Sequence, residues 1–385
     1  MLSRQVAAKL ATYETPFYLY DIDLLNQTLD SLMSVAHRYG YKVHYAIKAN
    51  YDKRLLEIIR KHGLGIDCAS GNEVQCAIEA GFDPKTIVYA GVGKRDKEIR
   101  YAIEQGIYAI NCESIEELGI VNEIATEMNR VVSVALRVNP DIDPRTNHCI
   151  DTGQADSKFG ISYEEILDSV EYIRSLKSLD VIGMHIHIGS QIRELHVFEN
   201  MCNKVNVIVD NLSSLGFELE FVDVGGGLGI NYDMPENEPI PNFASVFAII
   251  KQHLQVGKRE VHFEFGRAIV GECGELITKV LFNKTTATGR RLVIVDASMT
   301  ELIRPALYGS YHNIENITSK EEQRTKYTIV GTACESTDVF DENVSLPVTK
   351  RGDLLTLKSA GAYGMSMASH YNLHDLPKAV YSDEL

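Results

Sequence analysis

A chain of 385 residues, 45% hydrophobic and 24% charged, has a globular composition, and its length suits one large domain with a smaller companion. Its 38 basic and 53 acidic side chains leave a formal charge of −15 with no local basic run, which argues against nucleic acid or a membrane surface as partner. The opening Met1-Leu2-Ser3-Arg4-Gln5-Val6-Ala7-Ala8-Lys9 has no signal-like apolar core, no later run is long enough to span a bilayer, and the seven cysteines (68, 76, 112, 149, 202, 273 and 334) lack C-x-x-C spacing, so a cytoplasmic chain with reduced thiols is expected.

In chain order, the extended run Pro16 to Tyr20 comes first. Short runs rich in Val, Ile and Tyr then recur at Val43 to Lys48, Gly65 to Cys68, Ile87 to Ala90, Tyr108 to Asn111, Val131 to Val138, Val181 to Ile188, Phe221 to Val224 and Val261 to Glu264. Between them lie segments with apolar residues at helical spacing, such as Arg54-Leu55-Leu56-Glu57-Ile58-Ile59-Arg60, and Ser162 with Glu165 forms a capping-box pattern ahead of another. Eight strands alternating with helices over about 240 residues predict an α/β fold of the (β/α)8 TIM-barrel type; a doubly wound open sheet is the alternative and rarely needs eight units. Beyond about residue 270 the pattern turns to β-rich runs at Leu276 to Thr286, Arg291 to Ala297, Tyr327 to Thr332 and Asp353 to Lys358, punctuated by Gly and Asp. The expected division is a barrel over 25–269 and a C-terminal all-β domain over 270–385, with which 1–24 pairs through its early extended run.

Barrel enzymes gather reactive side chains at the C-terminal ends of their strands, so the residues closing the eight runs are the candidates. The first run closes in Tyr45-Ala46-Ile47-Lys48-Ala49-Asn50, which sets an ammonium at the barrel mouth; a solvated lysine is the commoner meaning of such a residue. The seventh ends in Asp223-Val224-Gly225-Gly226-Gly227-Leu228-Gly229 and the eighth in Glu264-Phe265-Gly266-Arg267, the two places where barrels frequently bind phosphate through backbone N–H groups. The sixth gives Met184-His185-Ile186-His187-Ile188-Gly189-Ser190-Gln191, with both histidines on one strand face by the two-residue period. H-x-H can ligate a metal, and a metal-dependent hydrolase is a competing reading, but the other strand ends offer a lysine, glycines and Glu264 rather than further ligands. Glu264 discriminates, because an acidic side chain facing a phosphate pocket needs a positive partner. A pyridinium N–H is one, so Lys48, His187, the glycine loop and Glu264 together describe the aldehyde, face, phosphate and nitrogen of pyridoxal 5'-phosphate.

At these residues the sequence resembles the fold-type III pyridoxal-phosphate enzymes, alanine racemase-like proteins that pair a (β/α)8 barrel with a β-domain. Within them it resembles the diaminopimelate decarboxylase family, through Tyr45-Ala46-Ile47-Lys48-Ala49-Asn50, His187-Ile188-Gly189-Ser190-Gln191, Gly225-Gly226-Gly227, Ile303-Arg304-Pro305-Ala306-Leu307-Tyr308, Cys334-Glu335-Ser336 and Gly361-Ala362-Tyr363. The resemblance runs nearly end to end. It implies that Lys48 carries the cofactor as a Schiff base, that His187 stacks on the ring, and that Ser190, Gly226, Gly227, Glu264, Gly266, Arg267 and Tyr363 complete the cofactor site. It further implies a homodimer in which Cys334 and Glu335 enter the neighbour's site, Cys334 as proton donor. The implied reaction is decarboxylation of meso-2,6-diaminopimelate to L-lysine, the last step of lysine biosynthesis, with Arg267, Arg304, Tyr308, Glu335 and Tyr363 on the substrate. A same-fold decarboxylase acting on ornithine, arginine, lysine or a carboxylated polyamine is the alternative, and a pyridoxal-phosphate carrier resembling the barrel alone is a third reading. Two positions depart from the family pattern: Phe265 stands where proline is usual, which is expected to loosen its loop, and Thr337 stands where glycine is common.

Overall fold

The computed structural model describes residues 4–140, 142 and 157–385, so the opening Met1-Leu2-Ser3 and Cys149 lie outside the described residues. The chain divides into two compact units, one of Leu29–Gly229 with Pro241–Gly266, the other of Met1–Thr28, Ile230–Ile240 and Arg267–Leu385. The short Ile230–Ile240 segment, which follows the seventh barrel strand in sequence, groups with the second unit.

Strand β1 (Phe17–Tyr20) stands apart from the barrel series β2 (Lys42–Ala46), β3 (Gly65–Cys68), β4 (Ile87–Tyr89), β5 (Ala109–Cys112), β6 (Val132–Arg137), β7 (Leu179–His185), β8 (Phe221–Asp223) and β9 (Glu260–Phe265). These eight are parallel and close into a barrel in sequence order, β2 pairing with β3 on one side and β9 on the other. Helices return the chain between strands, and side-chain caps fix where several begin. Asp52, Ser70, Ser114, Ser162 and Asn242 each accept a backbone N–H in the first turn that follows, Ser162 from Glu165 as its spacing predicts.

Inside the barrel the two-residue period sorts side chains into layers. Gly183, Phe221 and His262 meet in one layer, where the Phe221 and His262 rings stack 4.6 Å apart and a Cβ at position 183 would run into Phe221. Two residues further along the same strands, His185, Asp223 and Glu264 form the next layer toward the C-terminal mouth. The aromatic layer thus lies beneath a buried polar one.

In the second unit β10 (Gly274–Thr285), β11 (Arg291–Val295), β12 (Ile314–Asn316), β13 (Arg324–Val330), β14 (Val339–Pro347), β15 (Leu354–Leu357) and β16 (Lys378–Tyr381) build a mostly antiparallel sheet. The long β10 is its spine. It pairs with β11, with β15 and, as the early extended run predicts, with β1, where Tyr18 faces Leu276. Leu10, Phe17, Leu19, Ile277, Leu354 and Val380 form a core cluster against that sheet. Three of these strands, β12, β14 and β16, have no counterpart among the runs picked out in the sequence.

Candidate active site

Lys48 lies in a single helical turn, Ile47–Ala49, that ends β2. Its Nζ is 2.9 Å from Oδ2 of Asp67, a buried carboxylate on the neighbouring strand β3. Burial, reinforced by the charge of Glu264, pushes the Asp67 carboxyl up against the opposing pull of Lys48. The end of β9 comes close to this turn because residue 266 is glycine: a Cβ there would sit 2.9 Å from that of Ala49.

Glu264 is buried, and its Oε2 lies 3.1 Å from His185 Nε2, whereas Oε1 has no partner. Burial works to raise the Glu264 carboxyl, but His185, Lys48 and His187 outweigh it and hold the group below the usual carboxylate range. His187 lies two residues beyond the end of the strand that carries His185. The strand ends at His185, and positive φ at Gly189 (138°) and Gln191 (64°) turns the chain away. His187 Nδ1 accepts the Gly189 N–H at 3.2 Å, and desolvation, with Lys48 and Arg137 nearby, pushes its pKa down to about 3, so the ring is neutral. Among the described residues, the one group of three ligand-type side chains within 4.8 Å of one another is His185, Asp223 and Glu264; the H-x-H pair is not gathered as a chelate.

The glycine loop is dictated by backbone crowding. Gly225 and Gly227 have φ of 68° and 97°, and a Cβ at Gly226 would run into the Glu264 carbonyl oxygen. No other residue type fits this turn, which ends β8 and packs against Gly189 and His187.

In the second unit, the helix Arg304–Tyr308 begins with Pro305 in its first turn and is capped by Gly309 at φ 62°. Arg304 is 4% exposed; one guanidinium nitrogen is 2.8 Å from His312 Nε2, another is 3.4 Å from Ser310 Oγ, and its face covers the Tyr232 ring at 4.7 Å. All three partners are neutral, and no carboxylate among the described residues pairs with it. Arg267, equally buried, donates to Tyr232 Oη at 2.6 Å and lies 4.9 Å from the Tyr363 ring centre. Tyr363 has φ 58°, and Tyr308 closes the Arg304 helix and contributes to the field at Arg267. Cys334 is exposed, its backbone N–H bonded to Asn372 Oδ1 at 2.9 Å, and Glu335 accepts the Tyr371 hydroxyl at 2.5 Å.

Residues 25–271 match the family described as the pyridoxal binding domain of pyridoxal-dependent decarboxylases. A diaminopimelate decarboxylase of Bacteroides thetaiotaomicron is 47% identical over 379 residues, 98% of either chain, and one of Aquifex aeolicus is 38% identical over 94% of this chain and 85% of its own. The crystal structure of Helicobacter pylori diaminopimelate decarboxylase complexed with L-lysine superposes with a TM-score of 0.91 at 36% identity, covering 98% of this chain and 94% of that one. The chain belongs to the diaminopimelate decarboxylase family.

A pyridoxal-phosphate enzyme of this family needs an amine, an acceptor for the pyridine N–H and a phosphate loop. The barrel unit fits: Lys48 offers an amine, Glu264 Oε1 is a buried acceptor without a donor, and the Gly225 to Gly227 turn follows the seventh barrel strand. Neither departure from the family pattern disturbs this. Phe265 continues β9 and packs at 5.5 to 6.0 Å from Phe243, Phe247 and Phe263, so it anchors the strand rather than loosening a loop. Thr337 is not among the positive-φ residues, so that position takes a side chain without strain. Sequence reasoning passed over Asp67, whose role depends on the pairing of β3 with β2, and over Tyr232, which the sequence alone does not place beside two arginines.

Proposed function

We propose that this chain decarboxylates meso-2,6-diaminopimelate to L-lysine and that Arg304 sets the substrate. The observation that carries the substrate is the buried guanidinium of Arg304 with only neutral partners. A charge withdrawn from water without a counter-ion is costly, and an anionic ligand group relieves that cost. The far carboxylate of diaminopimelate is such a group, and a planar guanidinium can bind it through two parallel hydrogen bonds. Arg267, Tyr308 and Tyr363 assist on the same carboxylate. Ornithine or lysine, offering only an ammonium at that end, would leave Arg304 unpaired and be rejected.

In this reading Lys48 Nζ holds the cofactor aldehyde, neutral His187 supplies a face for the ring, and Glu264 accepts the pyridine N–H. Ser190, Gly226, Gly227, Gly266 and the Arg267 backbone bind the phosphate. Bound there, pyridoxal phosphate supplies the sink for the electron pair left at the α-carbon when CO2 departs. Asp67 orients the Lys48 amine. The enzyme acts as a cytoplasmic homodimer in which the exposed Cys334 and Glu335 serve the partner's site, Cys334 returning a proton to the α-carbon and Glu335 taking the distal ammonium. The test is CO2 release from a panel of diaminopimelate, ornithine, arginine, lysine and carboxylated polyamines. Fastest release from diaminopimelate, with lysine as product, is the expected result.

A further inference from the structure

Asp223, the last residue of β8, is fully buried and has no part in the mechanism above. Its Oδ1 accepts the Gly225 N–H at 2.8 Å, while its Oδ2 is buried without a partner. On the adjoining strands stand His185 and Glu264, and one ligand-type atom from each of the three lies within 4.8 Å of the others. Two carboxyl groups this close and sealed from water do not both ionise. The question is which one keeps the proton.

The surroundings of the two differ. Glu264 receives His185 Nε2 at 3.1 Å and feels the positive charge of Lys48. His185 Nδ1 is buried and unpartnered, so the ring's proton belongs on Nε2, facing Glu264. Asp223 has only the neutral Gly225 N–H. Of the other titratable groups acting on the cluster, Asp67 is occupied by Lys48, burial pushes His187, His44 and His262 down so that their rings are neutral, and burial pushes the Tyr108 hydroxyl up. We propose that Asp223 is held as the neutral acid and donates its proton to Glu264, making it a positioning residue for the carboxylate that faces the cofactor nitrogen. Burial, the charge of Glu264 and a hydrogen bond shared with it push the Asp223 carboxyl well above the usual range, in the same sense.

The consequence rests on the reading of Glu264 as the acceptor of the pyridine N–H. A carboxylate has about four acceptor sites, and the His185 Nε2–H and the Asp223 proton occupy part of them. A neutral Asp223 holds the negative charge in place without adding a charge of its own, so it does not compete with the pyridinium as counter-charge. An ionised Asp223 would instead add a second anion beside the first.

Infrared spectroscopy of the cofactor-free chain, labelled with 13C at aspartate side-chain carboxyls, reads the proton directly. The expected result is a protonated-carboxyl C=O band at neutral pH that carries the isotope shift and vanishes in Asp223→Asn. A missing band overturns the proposal. In the holoenzyme, Asp223→Ala should lower kcat roughly tenfold to a hundredfold, the loss of one hydrogen bond to a charged acceptor, with KM little changed. Asp223→Asn keeps a carbonyl for the Gly225 N–H and an N–H for Glu264, so it should recover most of that loss, and the pH response of the bound cofactor's visible absorbance with it. An asparagine variant as impaired as the alanine one, showing that the carboxylate itself is required, overturns the neutral-acid assignment. Glu264→Gln separates the two readings: full turnover in that variant would remove Glu264 from the cofactor nitrogen, while the infrared band would still place the proton on Asp223.

Discussion

Replacing Arg304 tests the substrate assignment, because its surroundings set opposite expectations for binding and for stability. In Arg304→Lys an ammonium replaces the planar fork and cannot form two parallel bonds to one carboxylate. One charge-assisted hydrogen bond is worth about 1.5–3 kcal/mol, so the KM for diaminopimelate should rise roughly tenfold to more than a hundredfold, with the cofactor absorbance unchanged. In Arg304→Met the charge disappears. Were Arg304 half of a buried ion pair, its loss would cost about 3–5 kcal/mol of stability. Its partners are instead His312, Ser310 and the Tyr232 ring. The cost is then an orphaned His312 Nε2, about 1–3 kcal/mol, offset by no longer burying an uncompensated guanidinium. The methionine variant should therefore melt close to the wild type. It should also lose stabilisation by L-lysine, whose carboxylate is the one diaminopimelate retains, while 1,5-diaminopentane, lacking a carboxylate, should stabilise neither protein. Thermal melts with both ligands make the comparison. A strongly destabilised Arg304→Met, or one still stabilised by lysine as the wild type is, would refute the reasoning.

Three further outcomes are expected. Borohydride reduction of the holoenzyme followed by peptide mapping should find the cofactor on Lys48, the amine next to Asp67, and a modified lysine elsewhere would remove that assignment. Mixing inactive Lys48→Ala with inactive Cys334→Ala chains should restore activity through hybrid dimers carrying one intact site; no recovery despite demonstrated subunit exchange would mean that each site is built within one chain. Burial pushes Glu272 up to about 7, against the pull of Ser359, whose hydroxyl donates to it at 2.6 Å. Because the folded chain holds this proton more tightly than the unfolded one, stability is greatest below the ordinary carboxylate pKa and falls as pH rises to about 7, by on the order of 3 kcal/mol. Denaturant titrations across that window should flatten in Glu272→Gln, and an unchanged slope would contradict the burial argument.

The barrel was readable because each of its eight strands is a short β-branched run between helical segments, and because Lys48, the glycine turn and Glu264 are polar groups at strand ends, where water contact alone does not account for them. Asp67 was hidden by its setting. In Gly65-Ile66-Asp67-Cys68 it reads as one polar residue in a short buried strand, and its meaning depends on β2 pairing alongside to bring in Lys48. The strand holding His185 was expected to run on to Ile188 but ends at His185, and beyond it the chain turns with positive φ at Gln191, a residue that gives no such signal in sequence. Strand β14 went unseen because Asp341, Glu342 and Asn343 interrupt its apolar alternation at the edge of the sheet, where their polar side chains cost little. Thr337 shows a limit of pattern comparison: a glycine common in a family need not mark a positive φ.

The polar layer of the barrel explains why so few residues can carry the chemistry. Asp67, Asp223 and Glu264 are three buried carboxyl groups; Lys48 faces the first, the Gly225 N–H the second and the His185 N–H the third. Beneath them Phe221 stacks on His262, placing an aromatic layer on the base side of the polar one. Dry carboxyl groups in that number are tolerable only if one is paired with a cation, one retains its proton and one awaits a cationic ligand group. Lys48 pairs with Asp67, and Asp223 is the group with no cation beside it. The third role falls to Glu264, whose Oε1 has no donor. A ligand presenting a pyridinium N–H satisfies it where a neutral ring would leave the charge uncompensated. On the proposed reading, the same burial that makes Glu264 costly in the empty chain would keep a pyridine nitrogen protonated once it is bound.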